Sequence, residues 1–222
     1  MKKLLTFILC FQFLNSFGQI GVIGGFKTLN AAGWNEEFQN QFQQTPYPVS
    51  GAQIGLTYWF RLKNRRIEFA PELSAVKFKS VFEEVQFQHN QFSFFFNTDF
   101  YIFDLKSDCN CPTWSKEGNM FSKGFFIELA PGISAFHNKY TSSMGENKDG
   151  DEFTFGGALG VGLDLGVTDL FTITPVFRYF FYPKVHWNYA LTKANDENSV
   201  SQVFIGLRLR ANLKEFNSRR FH

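Results

Sequence analysis

Ser50 to Arg61 reads SGAQIGLTYWFR, and its apolar side chains fall on every second residue. Ala52, Ile54, Leu56, Tyr58 and Phe60 share one face; Gln53, Gly55, Thr57 and Arg61 share the other, with Trp59 the exception on that second face. Side chains of a strand point alternately to its two sides, so a period of two predicts a strand with unlike faces. In a soluble sandwich the apolar face would point inward, and it would rarely be so uniformly large. The reverse reading fits better: the small and charged face fills a narrow barrel, and the large apolar face meets lipid.

Eight segments of this kind follow one another, separated by turn-rich stretches. The fourth sets Phe92, Phe94, Phe96, Phe100 and Ile102 against Ser93, Asn97, Asp99 and Tyr101. In the sixth, Phe153, Phe155, Leu159, Val161, Leu163 and Leu165 oppose Thr154, Gly156, Ala158, Gly160, Gly162 and Asp164. The eighth sets Val203, Ile205, Leu207 and Leu209 against Gln202, Gly206, Arg208 and Arg210. The fold expected is all-β, an eight-stranded antiparallel transmembrane β-barrel. Closure satisfies every backbone group without water, which an open sheet in a bilayer cannot do.

A phrase recurs along the chain: EFAPELSA at Glu68 to Ala75, IELAPGISA at Ile127 to Ala135, and more loosely FTITPVF at Phe171 to Phe177. It puts Pro71, Pro131 and Pro175 on the lipid face of every upward strand. Proline removes a ladder hydrogen bond and usually marks an edge or a bulge. The alternation also shifts from Ile67, Phe69 and Leu73 to Val76 and Phe78. A bulge is therefore expected at these prolines.

The ends fit export. Met1 to Gly18 places Lys2 and Lys3 before an apolar run from Leu4 to Leu14, then small residues before Gln19. That is the layout of a cleaved signal, and the run falls short of the roughly 20 residues of a membrane-spanning helix. Phe7, Ile8 and Leu9 are not the small residues that a lipoprotein signal at Cys10 would prefer. The expected organisation is signal 1–18, barrel 19–213 and tail 214–222. Loss of two lysines leaves 22 − 2 = 20 basic against 20 acidic side chains. A neutral exported chain has no basic field for nucleic acid, so that partner class drops out. Phenylalanine supplies 31 of 222 residues, against three cysteines and three methionines, as suits a lipid-facing wall. Long polar connections are expected outside at Asn30 to Val49, Thr141 to Asp151 and Pro183 to Ser199. Tight inner turns are expected at Lys63 to Arg66 and Val167 to Asp169, whereas Leu105 to Lys123 is long for an inner turn.

The signal ending before Gln19, the eight segments, the proline-bearing strands and the closing VFIGLRLRANL, Val203 to Leu213, resemble the small outer-membrane β-barrels of Bacteroidota. That broad group includes the PorT- and PorG-type barrels of the type IX secretion system. The resemblance implies an integral outer-membrane location and a final strand read by the barrel-insertion machinery through Gly206, Leu209 and Ala211. The tail from Lys214 departs from the common pattern, in which the chain ends at the last strand.

The inward-facing ionisable residues are Arg61, Glu68, Glu72, Asp99, Glu128, Asp164, Arg178, Arg208 and Arg210. Glu68 and Glu128 are the residue types of an acid and base pair in a hydrolase. The simpler reading is a luminal ion-pair network, since buried charges must be paired whether or not they react. His89, His137 and His186 fall at or near the outer rim, as loop histidines would. Gly156 to Gly166 lacks the helix that a dinucleotide loop requires and reads as small luminal residues. Glu146 to Glu152 misses the spacing of a calcium loop and reads as a solvated connection.

Cys109 and Cys111, with Pro112, lie in the long inner connection together with Trp114 and Met120. The pair can close a disulfide, contact another chain or offer soft metal ligands, although no histidine lies near them in sequence. Trp and Met are enriched at interfaces, so this periplasmic loop is the expected partner-facing element. In the outer connection, Trp34, Phe38 and Phe42 recur at helical spacing, consistent either with a short helix over the barrel mouth or with an open loop. The function expected is a non-enzymatic accessory or scaffold barrel of an envelope assembly for secretion or outer-membrane protein insertion. The alternative is a small pore or a ligand-binding or adhesion barrel. Outer-membrane lipid and protein subunits are the expected partners, and no cofactor is expected.

Overall fold

The computed structural model describes residues 19–43, 45, 47–62, 65–82, 85–105, 120–142, 147–168, 171–186 and 197–211. The strands are β1 (Gln19–Asn30), β2 (Val49–Arg61), β3 (Ile67–Phe82), β4 (Val85–Phe100), β5 (Phe125–Ser142), β6 (Asn147–Leu163), β7 (Leu165–Gly166), β8 (Phe171–His186) and β9 (Glu197–Ala211). Two helices interrupt them, α1 (Ala32–Phe42) and α2 (Met120–Gly124). β7 continues β6 beyond Asp164, so the wall has eight members. Each is antiparallel to its neighbours, and β1 pairs with β9 and β6 with β8 to close the cylinder. The chain is a closed eight-stranded antiparallel β-barrel.

Alternation sorts the side chains as the period of two predicts. Phe26, Phe155, Ile54 and Ile205 are 74%, 73%, 70% and 62% exposed on the outer wall, whereas Glu72, Asp99, Glu128 and Arg208 inside are fully buried. The interior is not only small and charged, however. Phe78, Phe95, Phe126, Phe136, Phe180 and Phe204 also point inward and are buried. The abundant phenylalanine therefore serves both the wall and the core.

The prolines produce no bulge. β3 runs in one unbroken register against β4 from Ile67 to Phe82, and Val76 and Phe78 are simply luminal residues. Proline instead opens the ladder on one side. Pairing of β2 with β3 skips from Thr57–Glu72 to Phe60–Phe69 around Pro71, and pairing of β4 with β5 skips from Phe95–Gly132 to Thr98–Leu129 around Pro131, without a change of register. A missing N–H removes a bond but inserts no residue. The register shift that does occur lies between Tyr182 and Val185, beside Pro183.

The outer connections are shorter than their polarity suggests. Thr141 pairs with Asn147, so β5 and β6 extend as a hairpin through the stretch expected to be a loop, and residues 143–146 alone connect them. Likewise β8 runs to His186 and β9 begins at Glu197. The signal, the tail, residues 63–64 and 169 of the inner turns, and Cys109, Cys111, Pro112 and Trp114 lie outside the described residues, while Met120 begins α2.

Candidate functional site

Charged residues form the inner half of the lumen. Arg178 on β8 donates through Nη1 to Glu72 Oε2 at 2.6 Å and through Nη2 to Glu128 Oε2 at 2.9 Å; its Nε also lies 2.6 Å from Glu128 Oε1 as an ionic contact. Arg208 on β9 bridges Asp99, at 2.7 Å, and Glu128. Arg210, two residues on and so on the same face, reaches Glu68 at 3.1 Å and Asp164. Neutral groups complete the carboxylate shells. Asn97 Nδ2 donates to Glu72 at 3.0 Å, Thr174 Oγ1 to Asp164 at 2.6 Å, Tyr101 Oη to Glu68 at 2.8 Å, and Trp59 Nε1 also to Glu68. Arg61 is in register with Glu68 but is half-exposed at the inner end.

Isolated charges would be costly to bury at these positions, and paired ones tolerate burial only with good geometry and further hydrogen bonds. Here each arginine is shared between two carboxylates on other strands. Glu68 and Glu128 are consequently held as counter-ions by several donors each. His, Cys, Asp and Glu form no group suited to a metal ion among the described residues.

Alternation along β6 makes this packing fit. A Cβ at Gly160 would lie 3.0 Å from Arg178 Cγ, one at Gly156 would lie 2.5 Å from the Tyr182 ring, and one at Gly162 would run into the ring of Phe126. These glycines give up side-chain volume to large neighbours on the two adjoining strands, β5 and β8.

Above the charged layer lies a neutral one. Gln91 is its hub: its amide nitrogen is 2.7 Å from Tyr182 Oη, 2.9 Å from Ser93 Oγ and 3.1 Å from Ser134 Oγ, and its oxygen accepts from Gln202 Nε2 at 2.8 Å. Lys27 is also buried, with Nζ 3.8 Å from the centre of the Phe180 ring.

The outer mouth is covered by α1, the helical alternative for that connection. Trp34 stacks on His89 with ring centres 6.3 Å apart, and Tyr47 Oη lies 2.7 Å from His89 Nε2. His89 Nδ1 in turn lies 2.7 Å from Asn138 Oδ1. Asn35 fastens the returning chain by bonding both the carbonyl and the N–H of Tyr47 at 2.9 Å. His89 is thus a buried luminal residue, contrary to its expected place as a rim loop histidine. Its parity with Gln91 and Ser93 carries that signal. His137 does face outward, with Nδ1 2.6 Å from Asp151 Oδ1 in an exposed contact.

Sequence reasoning also missed Arg66. It is buried at the inner end, 2.6 Å from Asp104, donates to the carbonyl of Lys123, and lies over the Tyr101 ring at 4.0 Å. It belongs to a turn, where strand parity gives no indication of direction.

Fold and interior together define a small closed barrel with a filled, ion-paired core. No protein-family model matches the chain, and no curated protein matches it in sequence. Among solved structures, it is similar to Neisserial surface protein A, NspA, at 12% identity and a TM-score of 0.49, covering 87% of this chain and 96% of that one. It is also similar to Ail, the attachment invasion locus protein of Yersinia pestis, at 15% identity and a TM-score of 0.46, covering 87% and 97%. A further likeness is to the outer membrane protein OprG of Pseudomonas aeruginosa, at 11% identity and a TM-score of 0.34, covering 87% and 96%.

Proposed function

We propose that the protein is an integral outer-membrane barrel acting as a non-enzymatic accessory or scaffold subunit of an envelope assembly. The observation that carries this reading is the inverted distribution of side chains: Arg178, Arg208 and Arg210 are buried inside, while Phe26, Ile54, Phe155 and Ile205 stand exposed outside. Water cannot stabilise such a wall over so wide a surface, and lipid can. A lumen occupied by ion pairs leaves the rims and connections as working surfaces. The resemblance to small Bacteroidota barrels makes a secretion or insertion machine the first assembly to examine, with the connection holding Cys109, Cys111, Pro112, Trp114 and Met120 as its docking element.

A second reading, a ligand-binding or adhesion barrel, has its own support. A strand crosses a bilayer in about 9–11 residues, whereas β3, β4 and β8 have 16, β6 has 17 and β5 has 18. The overrun gives the outer side a raised polar wall.

One measurement tests the membrane residence that both readings share, and a second separates them. Boiled and unboiled samples should migrate differently in detergent gels, and carbonate should fail to extract the native protein; extraction would end both readings. Replacing Ser107 to Ser122 by Asn-Gly should then leave the barrel inserted while co-purifying proteins are lost. Retention of every partner after that replacement would favour the binding barrel.

A further inference from the structure

We propose that the outer wall carries a binding site for a phosphorylated, multiply acylated lipid of the outer leaflet, of the lipid A type. The proposal rests on the membrane reading above. Its lower part is a groove of about 600 Å³ bordered by Ile54, Leu73, Phe92 and Phe153 and floored by Ala75 and Ala135. Ala75, Phe92, Ala135 and Phe153 are register neighbours across β3 to β6. Small and large residues thus alternate around the wall, leaving notches that acyl chains can enter.

The next outward-facing row towards the hairpin tips is Lys77, Asn90, His137 and Asp151, and the row beyond it is Lys79, Gln88, Lys139 and Asp149. Outward-facing residues on one strand are about 7 Å apart, and neighbouring strands about 5 Å apart. Lys77, Lys79 and Lys139 therefore bracket a patch about 10 Å across, with the amides of Gln88 and Asn90 between them. All three lysines are exposed, and no hydrogen bond or ion pair engages their side chains among the described residues. His137 engages Asp151 at 2.6 Å, and Asp149 on β6 is the direct cross-strand neighbour of Lys139, with no ion pair between them.

Three cations directly above an apolar groove complement a head group bearing phosphate over several acyl chains. Charge near a membrane surface and chain burial then act on the same ligand. A neutral lipid would fill the groove and leave the lysines unanswered. A lipid with a single phosphate and two chains would use less of both parts.

The test uses the delipidated protein in mild detergent, with its folded state read separately from gel migration before boiling. Native mass spectrometry should show bisphosphorylated lipid A retained in preference to its dephosphorylated form and to phosphatidylglycerol. The triple variant Lys77→Ala, Lys79→Ala, Lys139→Ala should retain it about a hundredfold less. The corresponding triple arginine variant should keep it, and Ala135→Trp, which fills the groove, should weaken it. Equal retention of the dephosphorylated lipid or of phosphatidylglycerol, or unchanged retention by the folded triple alanine variant, overturns the site while leaving membrane residence intact. A wild-type protein that does not fold into micelles overturns both.

Discussion

Arg178 on β8 and Glu72 on β3 stand 106 positions apart in the chain and meet at 2.6 Å inside the barrel, both withdrawn from solvent. With Glu128 on β5, they tie three non-adjacent strands together through the lumen. The ladder connects only neighbours, so this cluster is a cross-brace that backbone pairing cannot supply.

Removing the cation should show the strength of that brace. Arg178→Met leaves Glu72 and Glu128 buried beside a missing partner, and breaking a buried pair in this way costs about 3–5 kcal/mol. Urea unfolding in lipid vesicles should report a loss of that size. Adding Glu72→Gln to Arg178→Met should recover part of it, because one uncompensated charge is then removed. Equal stability of wild type and Arg178→Met would show that the pair contributes nothing net.

The same cluster should block conduction. Eight strands leave an interior wide enough only for side chains, and here arginines and carboxylates from β3, β4, β5, β8 and β9 meet across it. Planar bilayers containing the pure protein should show no steady current. Stable, ion-selective openings in the wild type would promote the pore reading instead.

Legibility in the sequence followed the physics of each element. Period-two alternation was enough to assign residues such as Gln53, Ser93 and Asp164 to one side of the wall, since a closed barrel keeps strand faces distinct. It could not tell which of Glu68, Glu72, Asp99, Glu128 and Asp164 meets which arginine, because those contacts cross the lumen between residues 46 to 142 positions apart. The prolines misled because an interrupted ladder and a bulge look alike in one dimension. Asn147 to Asp151 misled because the outer ends of long strands are as polar as loops. Tyr101 keeps the inward parity of Ser93, Asn97 and Asp99 beyond the end of its strand, whereas Arg66, in a turn, acquires its direction only from what surrounds it.

The outer plug should come loose without unfolding the wall. His89→Leu removes the ring that Trp34 stacks upon and leaves Tyr47 and Asn138 without their shared partner. Limited proteolysis within residues 32–47 should become faster, while the unboiled gel band is unchanged. His137→Ala makes a suitable control, since an exposed polar contact such as His137–Asp151 contributes little. Equal protection of α1 in wild type and His89→Leu would mean that the helix is held by something other than this contact.

Gly162 offers the sharpest test of side-chain orientation inside the barrel. Its added Cβ would enter the ring of Phe126, a fully buried residue on β5 that also packs against Tyr101 at 5.4 Å between ring centres. The ring cannot withdraw, because the guanidinium of Arg208 lies 5.6 Å from its centre and is itself fixed by Asp99 and Glu128. Overpacking of this kind costs about 1–3 kcal/mol, so Gly162→Ala should lower stability to urea in lipid by that amount. Gly157, on the same strand but facing outward, meets nothing nearer than the carbonyl of Ala130 at 3.9 Å. Gly157→Ala should therefore be neutral or stabilise by up to about 1 kcal/mol, through the smaller entropy of the unfolded chain. Shrinking the obstruction with Phe126→Leu should recover part of the Gly162→Ala loss and none of any Gly157→Ala effect. If both glycine variants behaved alike, the opposite facing of these two residues, and the parity of the whole β6 strand, would be wrong.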